Sequence, residues 1–179
     1  MKKIVISGAN GFIGSWLIKE LEKEKKYTLF PLVRENSDIS HLPDLENGNI
    51  VKVDYDNSEL LEKAIQGADV YIHLIGQMGG YGIPLSTYEY VNVELTRRML
   101  QLCEKCKVRQ FVFCSTPGVQ GFGHRLAAEE EAYAPRNLYE KTKVQAEQLI
   151  IEFCKTSAMK YTIIRPDFVY GPGDYRRVK

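Results

Sequence analysis

Apolar residues occur along the chain in two spacings. Short runs rich in β-branched and aromatic residues predict buried strands, whereas longer stretches with apolar residues three or four positions apart predict amphipathic helices. The predicted strands are residues 2–7, 27–33, 49–54, 69–75, 109–115 and 160–165. The predicted helices are residues 12–24, 58–67, 84–106 and 138–156. Pro31 is awkward in a central strand and indicates a strand end or an irregularity.

The order of these elements indicates an α/β fold. Strands separated by helices imply right-handed βαβ crossovers, which place the strands parallel in one sheet. Six strands in this rhythm predict a Rossmann-type doubly wound sheet of order 3-2-1-4-5-6, with helices on both faces. The 179 residues are enough for one domain with a sizeable core, and no repeat or linker divides them.

Composition narrows the classes of function. Lys and Arg number 24 and Asp and Glu number 23, so the net charge of +1 indicates no nucleic-acid partner. The apolar run at residues 4–6 is too short for a signal peptide, and no stretch approaches the roughly 20 apolar residues of a membrane span. We therefore expect a cytoplasmic protein without a membrane partner.

The cysteine spacing raises the question of a metal or redox site. Cys103-x-x-Cys106 lies late in a predicted helix, and no second Cys or His pair stands at zinc spacing. We expect a packed helix face, no metal, and free thiols at all four cysteines, which also include Cys114 and Cys154.

Three glycines follow the first predicted strand at the point where the first helix begins. Gly8 allows a sharp turn, Gly11 allows the backbone to approach a pyrophosphate, and Gly14 allows the helix to pack close to the sheet. The helix N-terminus then presents free N–H groups to phosphate. The pattern predicts a dinucleotide site, with Gly8, Asn10, Gly11, Phe12, Ile13 and Gly14 as its candidate residues.

The end of the second strand bears on the choice between NAD and NADP. An acidic residue at that place binds the ribose 2′-OH of NAD, whereas an arginine accommodates the 2′-phosphate of NADP. Arg34 stands twenty residues past Gly14, which favours NADP slightly. Glu35 could take the acidic role if the register is shifted by one, and Arg34 could be a solvated loop charge.

Asp54 closes the third predicted strand, at the edge of the sheet where ligands bind in open α/β folds. Its carboxylate could accept a hydrogen bond from the adenine amino group, and its neighbour Tyr55 belongs to the same candidate cofactor set. Asp54 could instead be a turn residue or a helix N-cap, a role that Asp56 or Ser58 could also take.

Tyr139 and Lys143 stand four residues apart in a predicted helix, so their side chains share one face. The spacing alone does not distinguish an ordinary surface pair from an acid/base couple, and it arises often by chance. The surroundings of the pair must decide.

Five motifs in order resemble the extended short-chain dehydrogenase/reductase family, in particular its NAD(P)-dependent epimerase/dehydratase branch. They span nearly the whole chain and are specific as a set. They are GANGFIG (8–14), HLIG (73–76), YVNVELT (90–96), CSTPGVQG (114–121) with YEKTK (139–143), and RPDFVYGPGD (165–174).

The resemblance implies a catalytic set of Thr116, Tyr139, Lys143 and Asn92. Thr116 would hydrogen-bond the substrate oxygen, and Tyr139 would move a proton while hydride passes between substrate carbon and nicotinamide C4. Lys143 and an oxidised nicotinamide would both lower the Tyr139 pKa, and Lys143 would also hold the nicotinamide ribose. Asn92 would support the active site.

The resemblance also implies cofactor contacts in two loops. Leu74, Ile75 and Gly76 would pass near the adenosine and ribose, and Pro166 would lie beside the nicotinamide. His73 would then be structural. The three catalytic residues other than Thr116, namely Asn92, Tyr139 and Lys143, complete the candidate cofactor set.

The sequence departs from the family pattern in two places. Gln120 stands where a tyrosine is common, and Pro117 and Gly118 replace the acidic pair of dehydratases, which counts against 4,6-dehydration. The chain stops at Lys179, where family members continue into a C-terminal substrate region, so we expect residues 1–179 to be the NAD(P)-binding domain. His124, in a loop bordering the substrate pocket, is expected to be a surface residue.

The expected function is therefore NAD(P)-dependent hydride transfer on a nucleotide sugar, in an epimerase, a dehydratase or a reductase. A homodimer is also expected. Two alternatives stay open. One is a reductase or hydroxysteroid-dehydrogenase-like enzyme that acts on a non-sugar substrate, and the other is a non-catalytic NADP-sensing module.

Overall fold

The computed structural model describes residues 1–121 and 128–174. Its strands are β1 (Lys2–Ser7), β2 (Tyr27–Arg34), β3 (Val51–Val53), β4 (Val70–His73), β5 (Gln110–Cys114) and β6 (Lys160–Ile164). Its α-helices are α1 (Phe12–Lys23), α2 (Ser58–Ile65), α3 (Leu85–Glu89), α4 (Leu95–Lys105) and α5 (Leu138–Cys154). None of the helices in these two ranges is long and apolar enough to cross a membrane.

The six strands form one parallel sheet in the order β3-β2-β1-β4-β5-β6, which confirms the predicted topology. All strands therefore end at the same carboxyl edge, and the order reverses between β1 and β4. In open sheets of this kind the ligand crevice lies at that reversal. The loops after β1, β4 and β5 meet there.

Helices cover both faces of the sheet, as predicted. On one face α1 packs over residues such as Ile4, Ile6 and Leu29. The other face carries the larger core, in which α2, α4 and α5 pack against alternate strand residues such as Val5 and Phe111. The alternation within β1 follows from the two-residue period of a strand.

Two predicted elements differ in detail. The single helix predicted at 84–106 is α3 and α4 joined by a π-helical turn, Tyr90–Glu94. Pro31 lies inside β2 rather than at its end. The N–H and C=O groups of Leu29 form hydrogen bonds with residues 47–49, and those of Pro31, two residues later, face the same side of β2. The pairing of β2 with β3 begins only at Leu32. The missing N–H of Pro31 therefore costs little.

Candidate active site

The first loop of the site is shaped by backbone packing. Gly8 has φ +72°, and a Cβ there would lie 2.9 Å from the backbone of both Leu74 and Ile75. A Cβ at Gly14 would overlap the carbonyl oxygen of Gly8 and lie 2.7 Å from that of Ala9. Both positions therefore require glycine, for the sharp turn and the close helix approach that the sequence predicts.

The N-terminus of α1 presents free backbone donors. Gly11 is its N-cap and supplies no side-chain cap, so the first N–H groups at residues 12–14 have no partner within the helix. The Gly11 amide itself donates to Gly8 O at 3.1 Å. Nearby, His41 Nε2 lies 3.1 Å from the Asn10 carbonyl oxygen. These donors and the positive end of the helix dipole fit a pyrophosphate.

Arg34 and Asp54 lie at the carboxyl ends of the adjacent strands β2 and β3, Arg34 as the last residue of β2 and Asp54 directly after β3. Arg34 is exposed at the last position of β2, in register with Val53, and the exposed Asp54 follows directly. Glu35, also exposed, lies one residue further into the loop. A cation and a carboxylate thus border the crevice side by side, where a ribose and an adenine would lie.

Asp54 takes part in a turn. Its carboxylate accepts a hydrogen bond from the Asp56 amide at 2.9 Å, whereas the N-cap of α2 is Asn57, whose side chain accepts from Leu60 N at 3.2 Å. The turn alternative for Asp54 is therefore confirmed, and the N-cap alternative is wrong for Asp54, Asp56 and Ser58, because Asn57 occupies that position.

Tyr55 is half-buried between the ends of the first strands. Its hydroxyl donates to Leu32 O at 3.3 Å, and burial raises the pKa of its phenol, an effect that the Gly8 backbone partly opposes. Its ring packs against the larger core. Tyr55 therefore supports the base of the glycine turn.

Residues 74–76 connect the glycine turn to the predicted catalytic residues. Leu74 and Ile75 lie against Gly8, and the next residue, Gly76, lies beside the side chains of Asn92 and Lys143. A Cβ at Gly76 would be 3.6 Å from Asn92 Oδ1 and 3.8 Å from Lys143 Nζ. One short backbone segment thus joins both halves of the predicted site.

Asn92 lies in the π turn and is buried. Its Oδ1 accepts from the Gln77 amide at 2.7 Å, and its Nδ2 donates to Gln77 O at 3.2 Å and to Thr142 Oγ1 at 2.9 Å. The amide group therefore holds the loop after β4 against α5. These contacts favour a positioning role for Asn92 over direct contact with a ligand.

Lys143 is buried, with 2% of its surface exposed. Its Nζ donates to Cys114 O at 2.6 Å and lies 4.0 Å from the centroid of the Phe113 ring. Burial lowers the pKa of Lys143 to about 8, although the Cys114 and Glu147 side chains oppose the shift. A lysine with such contacts is not the exposed partner of a surface pair.

Tyr139 lies one helical turn before Lys143 and is half-buried. Burial raises the pKa of Tyr139 to about 12, and the Cys114 and Glu140 side chains add to the rise. We expected Lys143 to lower this pKa. Among the protein's own groups that expectation is wrong, because burial dominates and the Lys143 ammonium is directed at the Cys114 carbonyl.

Thr116 lies at the start of a 3₁₀ turn that packs on the beginning of α5. Its Oγ1 accepts from the Gly118 amide at 3.3 Å, and a Cβ at Gly118 would lie 2.9 Å from the side chain of Glu140. Asn137 caps α5 by accepting from Glu140 N at 2.9 Å. The turn therefore brings Thr116 next to the helical turn that carries Tyr139.

Two further hydroxyl and ring groups complete the surroundings. Ser115, beside Thr116, has a buried Oγ without a hydrogen-bond partner in the described ranges. His73 is buried, with its ring nitrogens 2.9 Å from Ser7 Oγ and 3.3 Å from Thr96 Oγ1. Burial lowers the pKa of His73 to about 3, so the ring is neutral and structural.

The remaining candidates lie outside the hydrogen-bond networks described above. Pro166 is half-buried two residues past β6, at the carboxyl edge. Cys103 on α4 and Cys106 at the C-cap of α4 are buried free thiols, and the described residues hold no group of three metal-binding side chains. His124 lies outside the described residues.

Two hydrogen-bond networks near the site are not predicted from the sequence. Gln120 donates from Nε2 to the carbonyl oxygens of Ala128, Glu129 and Glu131 at 2.6, 3.3 and 3.4 Å. The residue that departs from the family pattern therefore holds an acidic loop against the 3₁₀ turn. The three carbonyl partners of Gln120 lie eight to eleven residues further along the chain, so no local sequence pattern predicts them.

The second network joins α5 to the end of β6. Glu147, fully buried, accepts from Arg165 Nε at 3.0 Å and Nη2 at 2.6 Å, and from the Tyr133 hydroxyl at 2.9 Å. Arg165 also donates to Glu129 O at 3.1 Å. An acidic residue at an apolar position of the predicted helix was the only signal of this pair.

Comparison with known proteins identifies relatives of this chain. The family model described as "NAD dependent epimerase/dehydratase family" matches residues 4–178. The chain is 29% identical over 180 residues to UDP-glucose 4-epimerase from Vibrio cholerae, covering 96% of the chain and 53% of that protein. It is 27% identical over 194 residues to a decarboxylating sterol-4-alpha-carboxylate 3-dehydrogenase from Saccharomyces cerevisiae, covering 98% and 53%.

Among solved structures, UDP-glucuronic acid 4-epimerase from Bacillus cereus in complex with NAD superposes with a TM-score of 0.85 at 28% identity. That match covers 95% of this chain and 57% of the other. The chain thus spans about half the length of the relatives it matches. Because the family model covers nearly all of it, the chain belongs to the NAD-dependent epimerase/dehydratase family.

Proposed function

We propose that residues 1–179 form the NAD(P)-binding domain of an oxidoreductase that moves hydride to and from a nucleotide-sugar carbon. The observation that carries the proposal is the path of residues 74–76, which touch Gly8 at one end and Lys143 at the other. A dinucleotide that spans this segment would have its pyrophosphate at the start of α1 and its nicotinamide near Tyr139.

The residues present fit such a cofactor. The uncapped α1 N-terminus would hold the pyrophosphate, and Asp54 and Arg34 would border the adenosine. Arg34 supports a modest preference for NADP, because its guanidinium could pair with a 2′-phosphate. The bound cofactor would supply hydride exchange at its nicotinamide ring.

The protein's own groups would handle the proton. At neutral pH a Tyr139 phenol with a pKa of about 12 is protonated, which suits it to donate a proton as a substrate carbonyl is reduced. Thr116 would hydrogen-bond the same oxygen from the 3₁₀ turn. Lys143 would orient the nicotinamide ribose, and in the reverse direction the positive charge of an oxidised nicotinamide would favour the Tyr139 phenolate.

A second candidate is a reductase or hydroxysteroid-dehydrogenase-like enzyme. The similarity to a sterol dehydrogenase favours it, and Pro117 and Gly118 in place of an acidic pair argue against a 4,6-dehydratase. A non-catalytic sensor fits less well, because the Tyr139–Lys143 pair is kept. We further propose that the protein is a homodimer in a reducing compartment such as the cytoplasm, and the four free thiols support this compartment.

The cofactor part is tested by titrating the chain with NADPH and NADH and following nicotinamide fluorescence. We expect submillimolar binding of both and tighter binding of NADPH. Arg34→Ala should remove the preference, whereas Arg97→Ala, on the surface of α4, should keep it. Equal or tighter binding of NADH by the wild-type chain contradicts the role of Arg34, and no binding of either contradicts the site.

The catalytic part is tested by turnover of UDP-sugars and 3-hydroxysteroids in the whole protein. Tyr139→Phe should lower turnover by about 10²- to 10⁴-fold with little change in cofactor affinity. Thr116→Val should act similarly, and Lys143→Met should also weaken cofactor binding. Tyr161→Phe, which alters an exposed tyrosine on β6, is the control. Near-normal turnover in Tyr139→Phe would contradict the catalytic role, and Tyr139 and Lys143 would then be non-catalytic neighbours on one helix face.

A further inference from the structure

The segment after β6 folds back onto α1. Trp16 Nε1 donates to Pro172 O at 2.9 Å, across 156 residues of sequence. A Cβ at Gly171 or Gly173 would lie 3.8 or 3.9 Å from the Phe12 ring. Phe12 and Trp16 are one helical turn apart, so a single face of α1 holds the whole turn at residues 171–173.

The turn has a shape that glycine makes possible. Gly171 has φ +151° and Gly173 has φ +92°, and the Asp174 amide donates to Gly171 O at 3.2 Å. Trp16 remains 40% exposed, so its ring is only partly packed. The directional bond from the indole N–H is therefore a specific element of the contact, beyond apolar burial.

The turn at residues 171–173 lies close to the proposed dinucleotide site. Phe12 is the first residue of the helix whose N-terminus is the proposed pyrophosphate site. The segment that ends in the turn begins beside Pro166, at the carboxyl end of β6. Residues 165–174 therefore reach from the proposed nicotinamide end of the crevice to the first turn of α1.

We propose that Trp16 is a positioning residue that latches the turn at 171–173 onto α1, so that dinucleotide binding and the placement of the segment after β6 depend on each other. The inference rests on the proposed dinucleotide site. It differs from that proposal in assigning a role to a residue outside the crevice, on the side of α1.

The fluorescence of Trp16 tests the coupling, because it is the single tryptophan of the chain. NAD⁺ is titrated into the wild-type chain while heat and tryptophan emission are both followed. We expect emission to change with the midpoint that calorimetry gives. Heat without a change in emission overturns the latch. Absence of heat overturns the dinucleotide site itself, which keeps the two failures apart.

Variants sharpen the test. Trp16→Phe keeps a ring but removes the N–H, and Gly173→Ala strains the turn from the other side. Each should weaken NAD⁺ binding by about three- to tenfold, the value of roughly one hydrogen bond. Gly67→Ala is the matched control, since Gly67 has φ +73° at a turn after α2 with nothing within 4 Å of a Cβ.

In the whole protein, Trp16→Phe should raise the KM for the cofactor by a similar factor and leave kcat nearly unchanged. Wild-type affinity in both Trp16→Phe and Gly173→Ala, or an equal loss in Gly67→Ala, would overturn the proposal. Circular dichroism of each variant confirms that it is folded before affinities are compared.

Discussion

The glycine turn at residues 8–14 and the first half of α5 lie at the same edge of the sheet, joined by residues 74–76, but they are built differently. The turn owes its shape to backbone atoms in close contact, at Gly8 and Gly14 above all. The α5 region is held by side chains, among them the Lys143–Cys114 hydrogen bond and the Glu147–Arg165 pair.

The difference has a physical consequence. A site made of backbone N–H groups carries no ionisable group, so it can bind phosphate at any pH at which the protein folds. Its close backbone packing leaves no room for a side chain in place of glycine. A site made of buried charged side chains can move protons, but each buried charge opposes folding unless it is paired. Substitutions should therefore act on the two regions in different ways.

The largest loss of stability is expected for Arg165→Met. It leaves the fully buried Glu147 carboxylate without its cationic partner, which should lower the free energy of unfolding by about 3–5 kcal/mol. Urea unfolding measures the loss. Arg97→Met removes an exposed pair with Glu94 and should cost under about 0.5 kcal/mol. Similar losses in the two variants would show that burial does not govern the effect.

Lys143→Met should have the opposite sign. Because burial lowers the Lys143 pKa from 10.5 to about 8, keeping the lysine protonated in the fold at pH 7 is unfavourable. The variant should be more stable at pH 7 by up to about 3–4 kcal/mol, at roughly 1.4 kcal/mol per pKa unit, while losing turnover.

The pH dependence checks the cause. Between pH 8 and 10.5 the folded lysine is deprotonated while the unfolded one is not, so wild-type stability should rise toward that of the variant. Urea unfolding at pH 7 and at about pH 10 measures the convergence. Lys141→Met, which removes an exposed lysine from the same helix, is the control. A difference that stays constant across this window would exclude burial of Lys143 as its origin.

The smallest of these effects on stability is expected for Gly14→Ala. The new methyl group would press on the Gly8 and Ala9 carbonyl groups, which should cost about 1–3 kcal/mol and greatly weaken dinucleotide binding. Gly79→Ala places a methyl group where nothing lies within 4 Å and should change stability by less than about 0.5 kcal/mol. Unchanged NADH binding in Gly14→Ala would contradict the account of the turn.

Local spacing was enough for the sequence to determine several features. The alternation of apolar runs predicted the strand order, which the structure confirms. The glycine spacing predicted the close approach at Gly8 and Gly14, because backbone room is a property of a few neighbouring residues. The four-residue spacing predicted that Tyr139 and Lys143 share a face of one helix.

Only the tertiary structure decided the burial, the pKa values and the hydrogen-bond partners of those residues. The pKa values of Tyr139 and Lys143 depend on burial against β5, and the side chain of Asn92 is committed by Gln77 and Thr142. The contact of Trp16 with Pro172 joins the two ends of the described chain. Partners that lie tens of residues apart leave no periodic signal, and desolvation depends on everything packed around a group, so neither can be read from spacing alone.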